Sequence, residues 1–201
     1  MKDQVKITKT KKGLRHPLQP LLEKRWSPRA FLDRPIDPDT IATLFEAARW
    51  APSSYNEQPW CFLYAVRGEE AFDKLADCLS DNNRRWAPQA PLLVAVIAKT
   101  FLDRNGKPNR FAWYDTGQAV AHLSVQATSM DLYVHQMGGY EADRLRDAFG
   151  IGQGYEPTAM MAVGYLGDPA ELPDDLHERE ANPQVRRDPS EWLFHGSWTK
   201  G

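Results

Sequence analysis

The sequence predicts an α+β domain, a mixed β-sheet flanked by helices, on three observations. Its 201 residues are enough for one hydrophobic core and too few for two. Short apolar runs rich in strand formers are separated by longer stretches of helical periodicity. Residues 167–201 are proline-rich and hold no long periodic element. Polypeptide without a core of its own must pack on something, and a second copy of the chain is the economical choice. The expectation is therefore an intertwined homodimer with an exchanged C-terminal arm.

Taken in order, residues 1–16 crowd Lys2, Lys6, Lys9, Lys11, Lys12 and Arg15 into a flexible, solvated basic arm, and residues 17–201 form the single domain. Pro17 to Lys24 reads as a short helix. Asp37 is an N-cap before Pro38, the favoured first helical residue, and Ile41, Leu44, Phe45 and Ala48 follow at helical spacing up to a turn at Pro52. Cys61 to Val66 is a strand, and Glu69 to Leu79 a helix carrying Phe72, Leu75, Ala76 and Leu79. Leu92 to Ala98 is a buried strand between two aperiodic loops, 81–91 and 100–110. Ala112 to Met130 is a long central helix whose Gly117 and Ala121 allow close approach to a neighbour. A strand from Leu132 to Gln136, a helix from Glu141 to Phe149 and a strand from Thr158 to Leu166 complete the order.

Several function classes are excluded at this level. A formal charge of −2 with 42% hydrophobic residues indicates neither a polyanion-binding surface nor a disordered chain, so nucleic acid is not an expected partner. No apolar run approaches the ~20 residues that cross a bilayer, and the basic N-terminus lacks a secretory h-region. Cys61 and Cys78 lack CxxC spacing and read as reduced core residues of a cytoplasmic protein. His16, His122, His135, His177 and His195 show no ligand spacing, so no metal is expected. Gly150-Ile151-Gly152-Gln153-Gly154 follows a helix and runs towards a strand, the reverse of a dinucleotide fingerprint. There is no G-x-S-x-G nucleophile elbow.

The informative stretch runs from Arg25 to Trp60. Arg25-Trp26-Ser27-Pro28-Arg29 offers two guanidinium forks and a hydroxyl within five residues, a donor set that suits phosphate. After one helix, Pro52-Ser53-Ser54-Tyr55-Asn56-Glu57-Gln58-Pro59-Trp60 adds hydroxyl and amide donors in turn chemistry. Together these segments resemble the FMN-dependent nitroreductase family, which carries Arg-x-Ser-x-Arg/Lys-x-Phe and then Pro-Ser-x-x-Asn-x-Gln-Pro-Trp. The resemblance covers roughly residues 18 to 194.

It implies an FMN site at the interface of two interlocked chains. Arg25 and Ser27, with Trp26 between them, would take the phosphate and ribityl end, and Arg29 the ribityl or the pyrimidine edge. Arg187 of the tail, with Arg186 sharing the role, would complete the phosphate clamp. Pro52, Ser53, Ser54 and Asn56, supported by Gln58, would reach the flavin from the second chain. The segment Met137-Gly138-Gly139 would pass the N5 edge, its glycines permitting close backbone approach; an ordinary strand-to-helix turn is the alternative there. The implied activity is ping-pong reduction of a nitroaromatic, quinone or related small-molecule acceptor by NADH or NADPH, with no catalytic side chain because the flavin carries the hydride. Flavin destruction, reductive dehalogenation and non-catalytic FMN binding remain alternatives on the same fold. The lid that would choose among them is expected from residues 81–110, with Asn82, Arg84, Arg85, Trp86 and Arg104 as candidates.

Overall fold

The computed structural model describes residues 9–198. Lys2 and Lys6 of the basic arm lie outside the described residues. Four strands, β1 (Trp60–Val66), β2 (Leu92–Lys99), β3 (Leu132–Met137) and β4 (Tyr155–Tyr165), form one sheet in the order β1-β2-β4-β3. The α+β layout expected from the sequence holds, but each strand pairing is antiparallel rather than mixed. The reason lies in the connections. Between β1 and β2 the chain goes out through α3 (Glu70–Asp77) and returns through α4 (Asp81–Arg84), so it re-enters the sheet at the end it left. Val66 pairs with Leu92, and the Arg67 N–H donates to the Pro91 carbonyl at 2.9 Å.

The sheet carries a layer on each face. Leu92, Val94 and Val96 of β2 face Leu44 and Ala48 of α2 (Pro38–Arg49) and Leu123 and Ala127 of α5 (Ala112–Ser129). The alternate residues Leu93 and Ala95 join Leu75 of α3, Leu145 of α6 (Ala142–Phe149) and Leu176 of α7 (Asp174–Ala181). Burial on both faces explains why β2 is a continuous apolar run with no polar alternation. The start of α2 follows the expected chemistry: Asp37 accepts from the Thr40 N–H at 2.9 Å and Pro38 occupies the first turn. The first helix is shorter than expected, α1 spanning Pro20–Lys24.

Two expectations are corrected. The tail, expected to need a second chain to pack on, packs in part on its own: Leu172 ahead of α7, and Leu176 and Glu180 of α7, are buried within the same chain. The segment 81–91 is not a plain surface loop. Trp86 is only 1% exposed, stacked on Phe31 at 6.4 Å and against His135 at 4.4 Å between ring centroids. Its neighbours hold the fold too: Arg84 donates to the Asp77 and Leu79 carbonyls, and Arg85 pairs with Asp175 at 2.6 Å. The described part of the basic arm makes several contacts with the rest of the chain. Lys11 bridges in parallel to Gln184, the Lys12 N–H donates to the Gln184 carbonyl at 2.9 Å, and Lys9 places its ammonium 4.9 Å above the Trp26 ring.

The stretch after Arg25 is stapled to the end of β4. Leu32 N–H donates to the Tyr165 carbonyl at 2.9 Å, and Gly167 N–H to the Ala30 carbonyl at 3.0 Å. Backbone runs so close to backbone here that a Cβ on Gly167 would sit 2.7 Å from the Phe31 carbonyl carbon. Backbone cannot swing aside as a side-chain tip can. Gly167→Ala is therefore expected to lower stability by roughly 2–4 kcal/mol, read as a reduced urea midpoint at unchanged m-value.

Candidate functional site

Arg25 leaves the end of α1 half-buried, its Nη1 3.5 Å from the Ser27 hydroxyl. From the tail, Arg186 approaches it, and from the arm comes Lys11, whose ammonium donates to the Arg25 carbonyl at 3.0 Å. These three cations and Lys12 line a cavity of about 270 Å³ whose other walls are Leu14, Leu18, Leu22, Gly13 and Gln184. None of the lining residues is acidic. Burial, followed by the neighbouring Arg186 charge, pushes the Arg25 pKa down, and burial with Arg25 and Arg186 does the same to Lys11. The charge and donor set of such a cluster suit a compact anion such as a phosphate monoester. Arg186 rather than Arg187 is the tail residue on the cavity wall.

Trp26, between the two donors, points inward. It is 3% exposed and meets Tyr133 edge-on at 6.1 Å, so it packs the core under the site. Arg29 is held by Glu180, which accepts from its backbone N–H at 2.7 Å and from Nη1 at 3.4 Å. That carboxylate is 1% exposed.

The junction after β3 lies beside this segment. His135 Nδ1 is 2.8 Å from the Pro28 carbonyl oxygen. A carbonyl only accepts, so Nδ1 carries the hydrogen. Two residues on, Met137 is buried, Gly138 is exposed with open space where a Cβ would go, and Gly139 is tight: a Cβ there would meet Ser80 Oγ at 2.7 Å and Asn83 Nδ2 at 2.8 Å. The Gly139 carbonyl accepts from the Ser80 N–H and from Asn83 Nδ2. Gly139 thus serves packing, and Gly138 is the open backbone position.

The turn from Pro52 to Gln58 is strained. Tyr55, Asn56 and Gln58 have φ of 54°, 57° and 46°, in the left-handed region that non-glycine residues avoid at roughly 1 kcal/mol or more apiece. Its restraints are specific. Buried Asp115 of α5 accepts from the Ser54 N–H at 3.0 Å, Ser53 Oγ accepts from the Gln58 N–H at 3.0 Å, and Gln58 Nε2 donates to the Asn56 carbonyl at 3.1 Å. Arg104 lies 3.8 Å over the exposed Tyr55 ring and pairs with Glu57 at 3.3 Å. Trp60 begins β1 and packs beside the α2–α5 core.

Within one chain, the arginine segment and the glycine junction come together and the turn does not join them. Lys24, next to Arg25, donates to the Thr128 carbonyl near the end of α5, whereas the turn is anchored at Asp115 near its start. Those 13 positions correspond to roughly 20 Å along the helix at ~1.5 Å per residue. Sequence reasoning missed Lys11, read as a solvated lysine, and Glu180 and Asp115, which sit in helices with no motif to single them out. Cys61 and Cys78 are unpaired, and burial raises both thiols. Among the described residues no three His, Cys, Asp or Glu side chains gather as a metal site, and no helix is long and apolar enough to cross a membrane.

A family model described as the nitroreductase family matches residues 22–85 and 79–165. A protein of Mycolicibacterium smegmatis, described as an uncharacterised 15.4 kDa protein, is 35% identical over 134 residues, 67% of this chain and 88% of its own. One from Stenotrophomonas maltophilia, provisionally named an NADH dehydrogenase/NAD(P)H nitroreductase, is 30% identical over 163 residues, 71% of this chain and 81% of its own. A crystal structure described as an oxidoreductase containing FMN superimposes with a TM-score of 0.89 at 36% identity, covering 94% of this chain and 96% of that one. An FMN complex from Desulfovibrio desulfuricans shares the fold at a TM-score of 0.70 and 22% identity, over 91% of this chain and 100% of that one.

His135 gives this region a pH dependence. Burial is the largest influence and holds the imidazole pKa down at about 4, against an ordinary 6.5. A base whose folded pKa is depressed takes up a proton on unfolding, so stability is full above about pH 6.5 and declines as pH falls towards 4. The limiting slope for one proton is roughly 1.4 kcal/mol per pH unit. Urea midpoints followed over that window are expected to fall more steeply for the wild type than for His135→Gln, which cannot titrate.

Proposed function

The chain belongs to the nitroreductase family, and we propose that it is an FMN-dependent oxidoreductase drawing on NADH or NADPH to reduce a nitroaromatic, quinone or related conjugated acceptor in a ping-pong cycle. The observation that carries this reading is the acid-free cluster of Arg25, Arg186 and Lys11, set where the Arg-x-Ser segment leaves α1. The similarity to an FMN-containing oxidoreductase over nearly the whole chain supports the choice of anion. Bound FMN would supply hydride acceptance and transfer. The chain's own residues would then bind and orient. Arg25 and Arg186, with Arg187 adjacent, hold the phosphate, and Ser27 donates beside them. Arg29, fixed by Glu180, borders the ribityl or ring end, and the open backbone at Gly138 allows a flat ring to approach.

The turn from Pro52 to Gln58 belongs in this scheme to the second chain of a homodimer. Its roughly 20 Å separation from Arg25 along α5 supports that arrangement. So does the apolar surface nearby: Trp113 and Tyr114 of α5 are 53% and 70% exposed, beside the small Gly117 and Ala121. The tail adds Trp192, Leu193 and Trp198, all more than half exposed. Large exposed apolar side chains are what an interface would cover. Light scattering is expected to give twice the 22.9 kDa chain mass. Tyr114→Glu, a change at an exposed position, should shift the protein towards single chains while leaving its circular dichroism intact.

The redox reading is tested by an anaerobic absorbance scan before and after NADPH, then NADH. The flavin bands are expected to bleach and to return when a quinone or nitroaromatic is admitted. Arg25→Gln and Arg186→Gln should each raise the FMN dissociation constant about 10- to 100-fold, the range expected for losing one charge-assisted contact. If both variants purify with full flavin, the phosphate assignment is wrong.

A further inference from the structure

One wall of the cationic cavity belongs to the N-terminal arm. Lys11 and Lys12 line it from the arm, Arg25 from the exit of α1, and Gln184 and Arg186 from the tail. The arm is fastened there by few bonds. The Lys12 N–H donates to the Gln184 carbonyl at 2.9 Å, the Gln184 N–H donates to the Thr10 carbonyl at 3.0 Å, and Arg15 pairs with Asp188 in an exposed ion pair. Contacts of this kind contribute little individually, while ordering the arm costs conformational entropy.

Among the described residues the Lys11 ammonium meets two neutral acceptors, the Arg25 carbonyl oxygen at 3.0 Å and Gln184 Oε1. Its charge faces Arg25 and Arg186, and Glu23 offsets only part of that field. Three cations without an acid between them work against docking of the arm. A dianion placed among them adds an attraction to each cation that outweighs their mutual repulsion.

We propose that the N-terminal arm is a third jaw of this anion site: a phosphomonoester dianion held by Arg25 and Arg186 also takes Lys11, and thereby fixes residues 9–14 onto the tail at Gln184–Arg186. The identity of the ligand as FMN rests on the function proposed above; the anionic character of the site rests on the cluster alone. Linkage makes the effect reciprocal, so whatever loosens the arm weakens the phosphate by the same factor.

Amide exchange of the arm in the full-length protein tests this, with added FMN, riboflavin or inorganic phosphate. FMN and phosphate are expected to slow exchange at residues 10–14 by about ten-fold, a typical coupling between linked sites, and riboflavin, which has no phosphate, is not. Lys11→Gln should abolish that protection and weaken FMN by a similar factor without changing riboflavin affinity, and Lys11→Arg should restore both. Protection by riboflavin equal to that by FMN overturns the proposal. So does exchange unchanged by FMN and by phosphate, whatever flavin binding shows. Protection by phosphate in a protein that binds no flavin sustains the jaw and overturns the flavin reading instead.

Discussion

Glu180 fastens the two ends of the chain to each other. Its carboxylate is 1% exposed, which in an apolar setting is tolerable only with donors on it. Both come from Arg29: the backbone N–H at 2.7 Å and the guanidinium at 3.4 Å. The helix that carries Glu180 is otherwise polar, burying only Leu176 besides, so this contact fixes where α7 lies. It equally fixes the extended segment from Arg25 to Leu32, which the end of β4 grips from the other side through Phe31 and Leu166. Breaking one partner would strand a buried charge at a cost of several kcal/mol.

This fastening sorts the charges of the segment by task. Arg29 is answered by Glu180 and is structural in part. Four residues earlier, Arg25 is answered by Arg186 and Lys11, cations facing a cation. Like charges gathered around a half-buried guanidinium repel one another unless an anion completes them. The contrast between two arginines in one short motif supports placing the proposed anion site at Arg25, since a guanidinium already paired with a buried carboxylate has less to offer a phosphate. His135 belongs to the same arrangement. Kept neutral by burial, which outweighs the bond to Pro28, it adds no further positive charge and wedges Trp86 beneath the segment.

Much of this was legible in the sequence because the signals were local. Asp37-Pro38 is an N-cap followed by a first-turn proline whatever surrounds it, and the apolar run at Leu92–Ala98, short, rich in β-branched residues and preceded by Pro91, reads as a strand buried on both faces. The contacts that were not legible depend on tertiary context. Trp86 stands in a polar run, Asn82-Asn83-Arg84-Arg85, and reads as lid until the backbone turns it into the core. Helix α7 is too charged to show an apolar stripe, and its decisive buried residue is an acid. Strand direction was also hidden, because helices separating strands suggest parallel pairing unless the helices themselves double back. At Arg186 and Arg187 the sequence offered two neighbouring guanidinium groups, and only the path of the tail past Gln184 decides which one lines the cavity.

Helix α5 turns these local facts into a constraint on assembly. Its start anchors the strained turn through Asp115, and its last turns receive Lys24 beside the anion site. A helix is too stiff to bring its own two ends together, so a ligand needing both sets of donors must take them from two chains. Left-handed φ at three non-glycine residues is costly, and a single chain gains nothing evident from holding them. If the turn faces a neighbour, that cost is offset by new contacts, and the exposed aromatic residues at the start of α5 and the apolar tail acquire a common use. The stiffness of one helix, more than any single side chain, is thus the argument for the proposed site being shared between two copies of the chain.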